Sequence, residues 1–168
     1  METFGRYIQD ESGEILSELS WLVLCENECS KLMITEKVID FLPLKKNDDS
    51  NTFNCDLQEW LNTTFFNLSF TDDEKDMFKT YNGKKVFLLS IDDYEIYYDI
   101  LSDQKTEFTD FAKTSATKSN KTKCEWWLKP NDVEIEYGCI VKENGLWKLT
   151  DNINECCGVR PAVLVTTY

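Results

Sequence analysis

Seven cysteines, at positions 25, 29, 55, 124, 139, 156 and 157, are the side chains best suited to nucleophilic attack or to soft-metal ligation in this sequence. Histidine is absent, so Ser-His-Asp triads, imidazole general bases and His-bound zinc are excluded. Cys25-x-x-x-Cys29 and the vicinal Cys156-Cys157 together offer four thiolates to a tetrahedral ion. The first pair straddles a turn, and neighbouring cysteines chelate one ion poorly. Ordinary buried, reduced thiols are therefore expected, with no metal, no cofactor and no catalytic residue assigned. The acid clusters Asp48-Asp49, Asp72-Asp73-Glu74 and Asp92-Asp93 lack the alternating spacing of a calcium loop, and the last two read better as helix starts. The six glycines are scattered, so no phosphate-cradling loop is formed.

What remains suits binding. Trp126 and Trp127 are adjacent; in a strand they point to opposite faces, which predicts one in the core and one free for a ligand. Lys129 lies beside them, in a stretch with Lys113, Lys118, Lys121 and Lys123. Asp92, Asp93 and Glu95 open an acidic segment, residues 91–110, that also holds Asp99, Asp103, Glu107 and Asp110 against Lys105 alone. Arg160 has the planar fork that grips carboxylates and phosphates, but beside Pro161 it reads first as a buried structural arginine.

The chain has 168 residues, enough for one domain, and a formal net charge of −13. That charge repels phosphate backbones and argues against direct nucleic-acid binding. Aromatic residues make up 13%, enough to build a core. No basic-then-apolar leader is visible, and no apolar run approaches the roughly 20 residues that span a bilayer. The expected setting is cytoplasmic, with no membrane contact, in a bacterium or a phage-infected one.

The positioning elements are read from pattern. Phe4 to Ile8, Ile15 to Cys25 and Lys31 to Thr35 read as strands joined by turns. Leu57, Trp60, Leu61, Phe65 and Leu68 recur at helical steps and predict one apolar face. Thr71 with Glu74 forms a capping box for a helix closed by Tyr81-Asn82-Gly83, and Ser90 caps a second helix carrying Ile91, Tyr94, Tyr98 and Leu101. Lys85 to Ser90 reads as a buried strand, residues 45–54 and 113–123 as loops. Glu143-Asn144-Gly145 predicts a hairpin between Val133–Lys142 and Leu146–Thr150. Gly158 to Val165 reads as one terminal strand, with Pro161 at an edge or bulge. Strands at both ends and helices between them give class α+β.

Several strings, in order, resemble one family: Phe4-Gly5-Arg6-Tyr7-Ile8-Gln9-Asp10, Trp21-Leu22-Val23-Leu24, Leu57-Gln58-Glu59-Trp60-Leu61-Asn62, Phe70-Thr71-Asp72-Asp73-Glu74-Lys75, Val86-Phe87-Leu88-Leu89-Ser90, Trp126-Trp127-Leu128-Lys129-Pro130 and Gly158-Val159-Arg160-Pro161-Ala162. The sequence resembles the bacterial and phage domain of unknown function DUF6273, as a divergent member over nearly the whole chain. Trp60, Gly158, Arg160 and Pro161 carry the signature. The resemblance implies a C-type-lectin-like fold, related to that of formylglycine-generating enzymes, with Phe4–Ile8 lying near residues 163–168. The family's usual Trp-Leu-Arg-Ser-Pro is here Trp127-Leu128-Lys129-Pro130, and its Gly- and Asn-rich repeats give way to acidic, aromatic sequence.

The expected function is non-enzymatic recognition of a protein or other ligand through loops near residues 113–138, with Trp126, Trp127, Lys129, Asp92, Asp93 and Glu95 as candidate contacts. The alternative is a small acidic inhibitor from a phage or mobile element, blocking the basic groove of a nucleic-acid-binding protein.

Overall fold

The computed structural model describes residues 1–45, 56–103, 105–129 and 137–167. The first three strands, β1 (Glu2–Ile8), β2 (Leu16–Glu26) and β3 (Lys31–Thr35), form an antiparallel meander, and β4 (Asp40–Pro43) leaves it for a second sheet. Next comes a helical run: α1 (Asp56–Trp60), a π-helical turn at Leu61–Phe65, and α2 (Phe66–Ser69). After α3 (Asp72–Lys75) come the short strands β5 (Phe78–Lys79) and β6 (Val86–Phe87), then α4 (Ile91–Ile96), α5 (Tyr98–Ser102) and α6 (Asp110–Lys118). The chain ends in β7 (Trp126–Leu128), β8 (Gly138–Val141), β9 (Trp147–Thr150), β10 (Cys156–Val159) and β11 (Ala162–Val165). One sheet has the order β1-β2-β3-β11-β5, with β6 also on β11; the other runs β4-β10-β7-β8-β9. The class is α+β.

Strand alternation sorts side chains into two cores. Trp21, Met33, Val163, Trp127, Ile140 and Val159 meet Leu57, Leu61 and Phe65 in one. Ile34, Ala162, Trp126, Leu128, Cys139 and Val141 meet Tyr94, Leu101 and Ala112 in the other. Helices thus cover faces on both sides.

Five expectations change. The terminal strand is two strands: β10 lies in one sheet and β11 in the other, and Arg160-Pro161 carries the chain across. Proline cannot donate to a ladder, so the ladder stops where the sheets exchange. The first and last strands share a sheet but are not neighbours, since β2 and β3 lie between them. The two hairpins occupy both edges of β2, which leaves the free edge of β3 for β11.

The helical face also shifts. The π-helical turn rotates the next helical segment, so Phe66 is buried at 8% exposure while Leu68 points outward at 46%. Residues 113–118, expected as a loop, are helical. The Thr109 side chain caps α6 by accepting from the Ala112 amide at 3.2 Å, and Ala112 and Ala116, one turn apart, seat it against the core. Finally, α3 ends at Lys75, and Tyr81-Asn82-Gly83 instead makes a tight turn with positive φ at Asn82 (49°) and Gly83 (76°). That turn lets Tyr81 and Lys84 exchange backbone bonds of 2.8 and 3.0 Å.

The β2–β3 hairpin, the Thr71–Glu74 capping box, the Ser90 cap and the Asn144-Gly145 hairpin, with Gly145 at φ 78°, agree with the sequence reading, and Asp93 completes a second capping box at Ser90 that the sequence reading did not name. Residues 46–54 of the expected loop and residues 133–136 before the hairpin lie outside the described residues, as do Pro130 and Tyr168.

Candidate functional site

The sequence signature folds into one dense set of contacts. Trp126 and Trp127 are both buried, at 2% and 1% exposure, so neither serves as an exposed aromatic platform. Their strand is central in its sheet and both its faces are covered, one by each core. Trp127 donates its indole N–H to the Leu42 carbonyl at 2.9 Å. Over Trp126 lies the guanidinium of Arg160, 5.0 Å from the ring centre. Arg160 is buried; its Nε donates to the Thr35 carbonyl at 2.6 Å and its Nη1 to the Thr106 hydroxyl at 3.2 Å. Burial pulls its pKa down to about 10, still charged at neutral pH.

Gly158 is required by space. A Cβ there would meet the Glu125 carbonyl oxygen at 2.5 Å and Val38 Cγ1 at 2.8 Å. Half-buried Trp60 packs edge-on against Tyr7 at 6.2 Å and beside Phe65 at 5.7 Å. Pro161 offers its carbonyl to the Thr35 amide at 2.9 Å. These residues hold the fold.

The acidic candidates separate. Asp93 is buried and occupied: it accepts from the Ser90 hydroxyl at 2.7 Å and from the Tyr81 hydroxyl at 2.8 Å. It serves α4, not a ligand. Asp92 and Glu95 are exposed. Glu95 accepts from the Trp147 indole N–H at 3.2 Å, and Tyr94 donates to the Gly145 carbonyl at 2.7 Å, so α4 is tied to the β8–β9 hairpin. Lys129 is half-buried, its amide bonded to the Leu89 carbonyl at 2.7 Å.

That junction brings together residues the sequence reading did not select. Trp147 and Leu149, two apart on β9, share a face with Val141 and Cys139 of β8. The helices bury Val141 and Cys139, but their cover stops short of β9, leaving Trp147 and Leu149 38% and 53% exposed. Tyr98 of α5 reaches toward the same hairpin, and Ile96 at the end of α4 and Ile100 of α5 are exposed. The signal was present: alternation puts Trp147 and Leu149 on one side, but apolar residues in a hairpin read first as core.

On the opposite face of β9, Lys148 and Thr150 line a cavity of about 90 Å³ with Lys121, Lys123 and Glu155. Lys121 is paired with Glu155 at 3.2 Å. Among the described residues no cluster of three Cys, Asp or Glu side chains is placed to hold a metal ion. The six described cysteines are unpaired; Cys25 and Cys29 are exposed. Burial raises Cys139 to about 11 and Cys124 and Cys157 to about 12, so these three are neutral thiols at physiological pH and poor nucleophiles. No described helix is long and apolar enough to cross a membrane.

The arrangement presents an apolar surface on a hairpin, beside acidic side chains of α4, over a two-sheet body. No curated protein and no solved structure matches the chain. The sequence profile of the domain of unknown function DUF6273 matches residues 29–167, and the chain belongs to that family.

Proposed function

We propose that this chain is a non-enzymatic recognition domain that binds a protein partner through the surface where α4 and α5 meet the β8–β9 hairpin. The observation that carries the reading is the exposure of Trp147 and Leu149 beside Tyr98, on a hairpin that two hydrogen bonds fix to α4. Large aromatic residues held rigid at a surface dominate protein interfaces, and a polar rim around them is the usual anatomy. Here the rim is acidic: Asp92, Glu95, Asp99, Asp103 and Glu143 are all exposed. A partner with an apolar centre ringed by basic side chains fits it.

The proposed body is a divergent C-type-lectin-like scaffold acting in the cytoplasm, a setting supported by the unpaired thiols of the described residues. The contact surface lies beside, rather than in, residues 113–138, since 113–118 form α6 and Trp126–Leu128 are buried.

A second reading, an acidic inhibitor that fills a basic groove, is favoured by one observation: of the seven acids in residues 91–110 only Asp93 is buried. Affinity capture from the native cell at two salt concentrations tests both. Recognition through the hairpin requires that Trp147→Ala with Leu149→Ser lose the captured partner while the variant stays folded. Unchanged capture by that variant overturns it. Capture that survives the variant but collapses between low and physiological salt identifies the groove-filling inhibitor instead.

A further inference from the structure

We infer that the free edge of β9 takes an extended segment of the partner as an added antiparallel strand, with acidic side chains on its Lys148 side and basic or apolar ones on its Trp147 side. β9 ends its sheet, and among the described residues no strand lies along its outer edge. The ladder defines which groups that edge presents. The Lys142 amide donates to the Leu146 carbonyl, so Leu146 faces β8, and along an antiparallel strand the facing residues alternate. Lys148 and Thr150 therefore also bond inward. Trp147 and Leu149 direct their N–H and C=O groups outward, two donors and two acceptors spaced for an added strand.

Edge strands in folded proteins are ordinarily blunted by bulges, prolines or charge. This edge has a regular register and carries two large exposed apolar side chains, and its one charge, the exposed Lys148 between them, turns away a like charge but accepts an acidic one. Its two faces differ in sign. Glu95 accepts from Trp147 on one face, while the other gathers Lys148, Lys121 and Lys123 against Glu125 and Glu155, with Lys121 already paired to Glu155 and Lys148 and Lys123 left in excess. Strand addition reads alternate side chains, so each face selects its own set. In the antiparallel sense the incoming residues, from N to C, oppose Leu149, Lys148 and Trp147: apolar, acidic, then basic. An arginine opposite Trp147 meets both the ring and Glu95.

A second copy of this chain is the poorer occupant. An antiparallel β9–β9 pair centred on Lys148 places two lysines directly opposite each other, and like charges in that position destabilise. Two bodies of net charge −13 also repel.

This mode of binding rests on the recognition function proposed above, and the probe separates the two. An N-acetylated octapeptide amide with Val-Glu-Arg at its centre, flanked by threonines, is titrated into the full chain, with tryptophan fluorescence and nuclear magnetic resonance shifts as readouts. The plain peptide is expected to bind and to perturb the β9 amides. N-methylation of its Val or Arg nitrogen, which faces β9, should weaken binding by about tenfold or more, as expected for a lost bond and the blocked contact. N-methylation of the Glu nitrogen, which faces away, should leave binding unchanged. Lys148→Glu should reject the peptide and accept Val-Lys-Arg in its place. Absent binding, equal affinity across the N-methylated set, or a β9-mediated dimer that the peptide does not displace would overturn the inference. If capture of the native partner still depends on Trp147 in any of those cases, the recognition function stands and only strand addition falls.

Discussion

Arg160 lies with its guanidinium 5.0 Å from the centre of the Trp126 ring and its Nε bonded to the carbonyl of Thr35, 125 residues earlier in the chain. Among the described residues it makes no ion pair. Cation–π attraction, the Thr35 carbonyl and the Thr106 hydroxyl replace a carboxylate partner here. Replacing it should cost the fold heavily. Arg160→Ala opens a cavity and strands the Thr35 carbonyl, a loss of about 3 kcal/mol in urea unfolding. Arg160→Lys keeps charge but loses the planar fork and the stack, so it should recover only part of that stability. A wild-type midpoint in either variant would refute the assignment.

The buried Tyr7–Asp40 pair predicts a pH response. Tyr7 donates to Asp40 Oδ2 at 2.6 Å. Burial raises Asp40 despite that bond and the one from the Phe41 amide, and it raises Tyr7 as well. A carboxyl raised in the folded state binds its proton there more tightly than in the unfolded chain. Stability from this group is therefore greatest below the unfolded value, near 4, and falls as pH rises through the folded value. Asp40→Asn should flatten that slope in urea midpoints measured between pH 4 and 7. At the alkaline end Tyr7, together with Tyr94 and Tyr81, both raised to about 12, should make stability fall above roughly pH 10. Tyr7→Phe should soften the alkaline fall.

Asn62, in the π-helical turn, acts as a miniature strand edge. Its Nδ2 donates to the Val86 carbonyl at 2.7 Å and the Gln58 carbonyl at 3.0 Å, while its Oδ1 accepts from the Lys85 and Val86 amides at 3.1 and 3.2 Å. Asn62→Asp preserves shape but turns the donor into a second acceptor against two carbonyls. A loss of about 2 kcal/mol is expected, greater than for a surface Asn to Asp change. Amide exchange at Val86 should accelerate with it, and unchanged protection there would contradict the role.

Thiol labelling should sort the cysteines. Cys25 and Cys29 are exposed on the β2–β3 hairpin, whereas Cys124, Cys139 and Cys157 are buried and held neutral. Brief alkylation of native protein, mapped by mass spectrometry, should modify the first two well before the other three. Denaturant should erase the difference. Rapid native labelling at Cys139 would contradict its burial.

Local chemistry made part of this legible. Thr71 with Glu74 announces one helix as a capping box and Ser90 announces another as an N-cap, through bonds within three residues, and Asn144-Gly145 announces its hairpin. The π-helical turn was not legible, because the apolar spacing from Leu57 to Phe65 fits a plain α-helix equally well. Nor was the body of α6 from Lys113 onward, since the helix buries only Ala112 and Ala116 amid lysines, threonines and serines. The candidate site was missed for a related reason. Whether Trp147 or Trp126 is exposed depends on where the covering helices end, and side-chain type does not record that.

The sequence by itself determined the α+β class, the family signature, the helix caps at Thr71 and Ser90 and the acidic charge, since each depends on neighbours in the chain or on simple sums. Tertiary structure alone decided that Arg160-Pro161 hands the chain from one sheet to the other, that both Trp126 and Trp127 are enclosed, and that β9 is left with an open edge. Those outcomes depend on which strands fill which edges and how far the helices reach. They are set by pairings between residues 125 or more positions apart, as in the bond from Arg160 to Thr35 and the register of Val165 on Lys31.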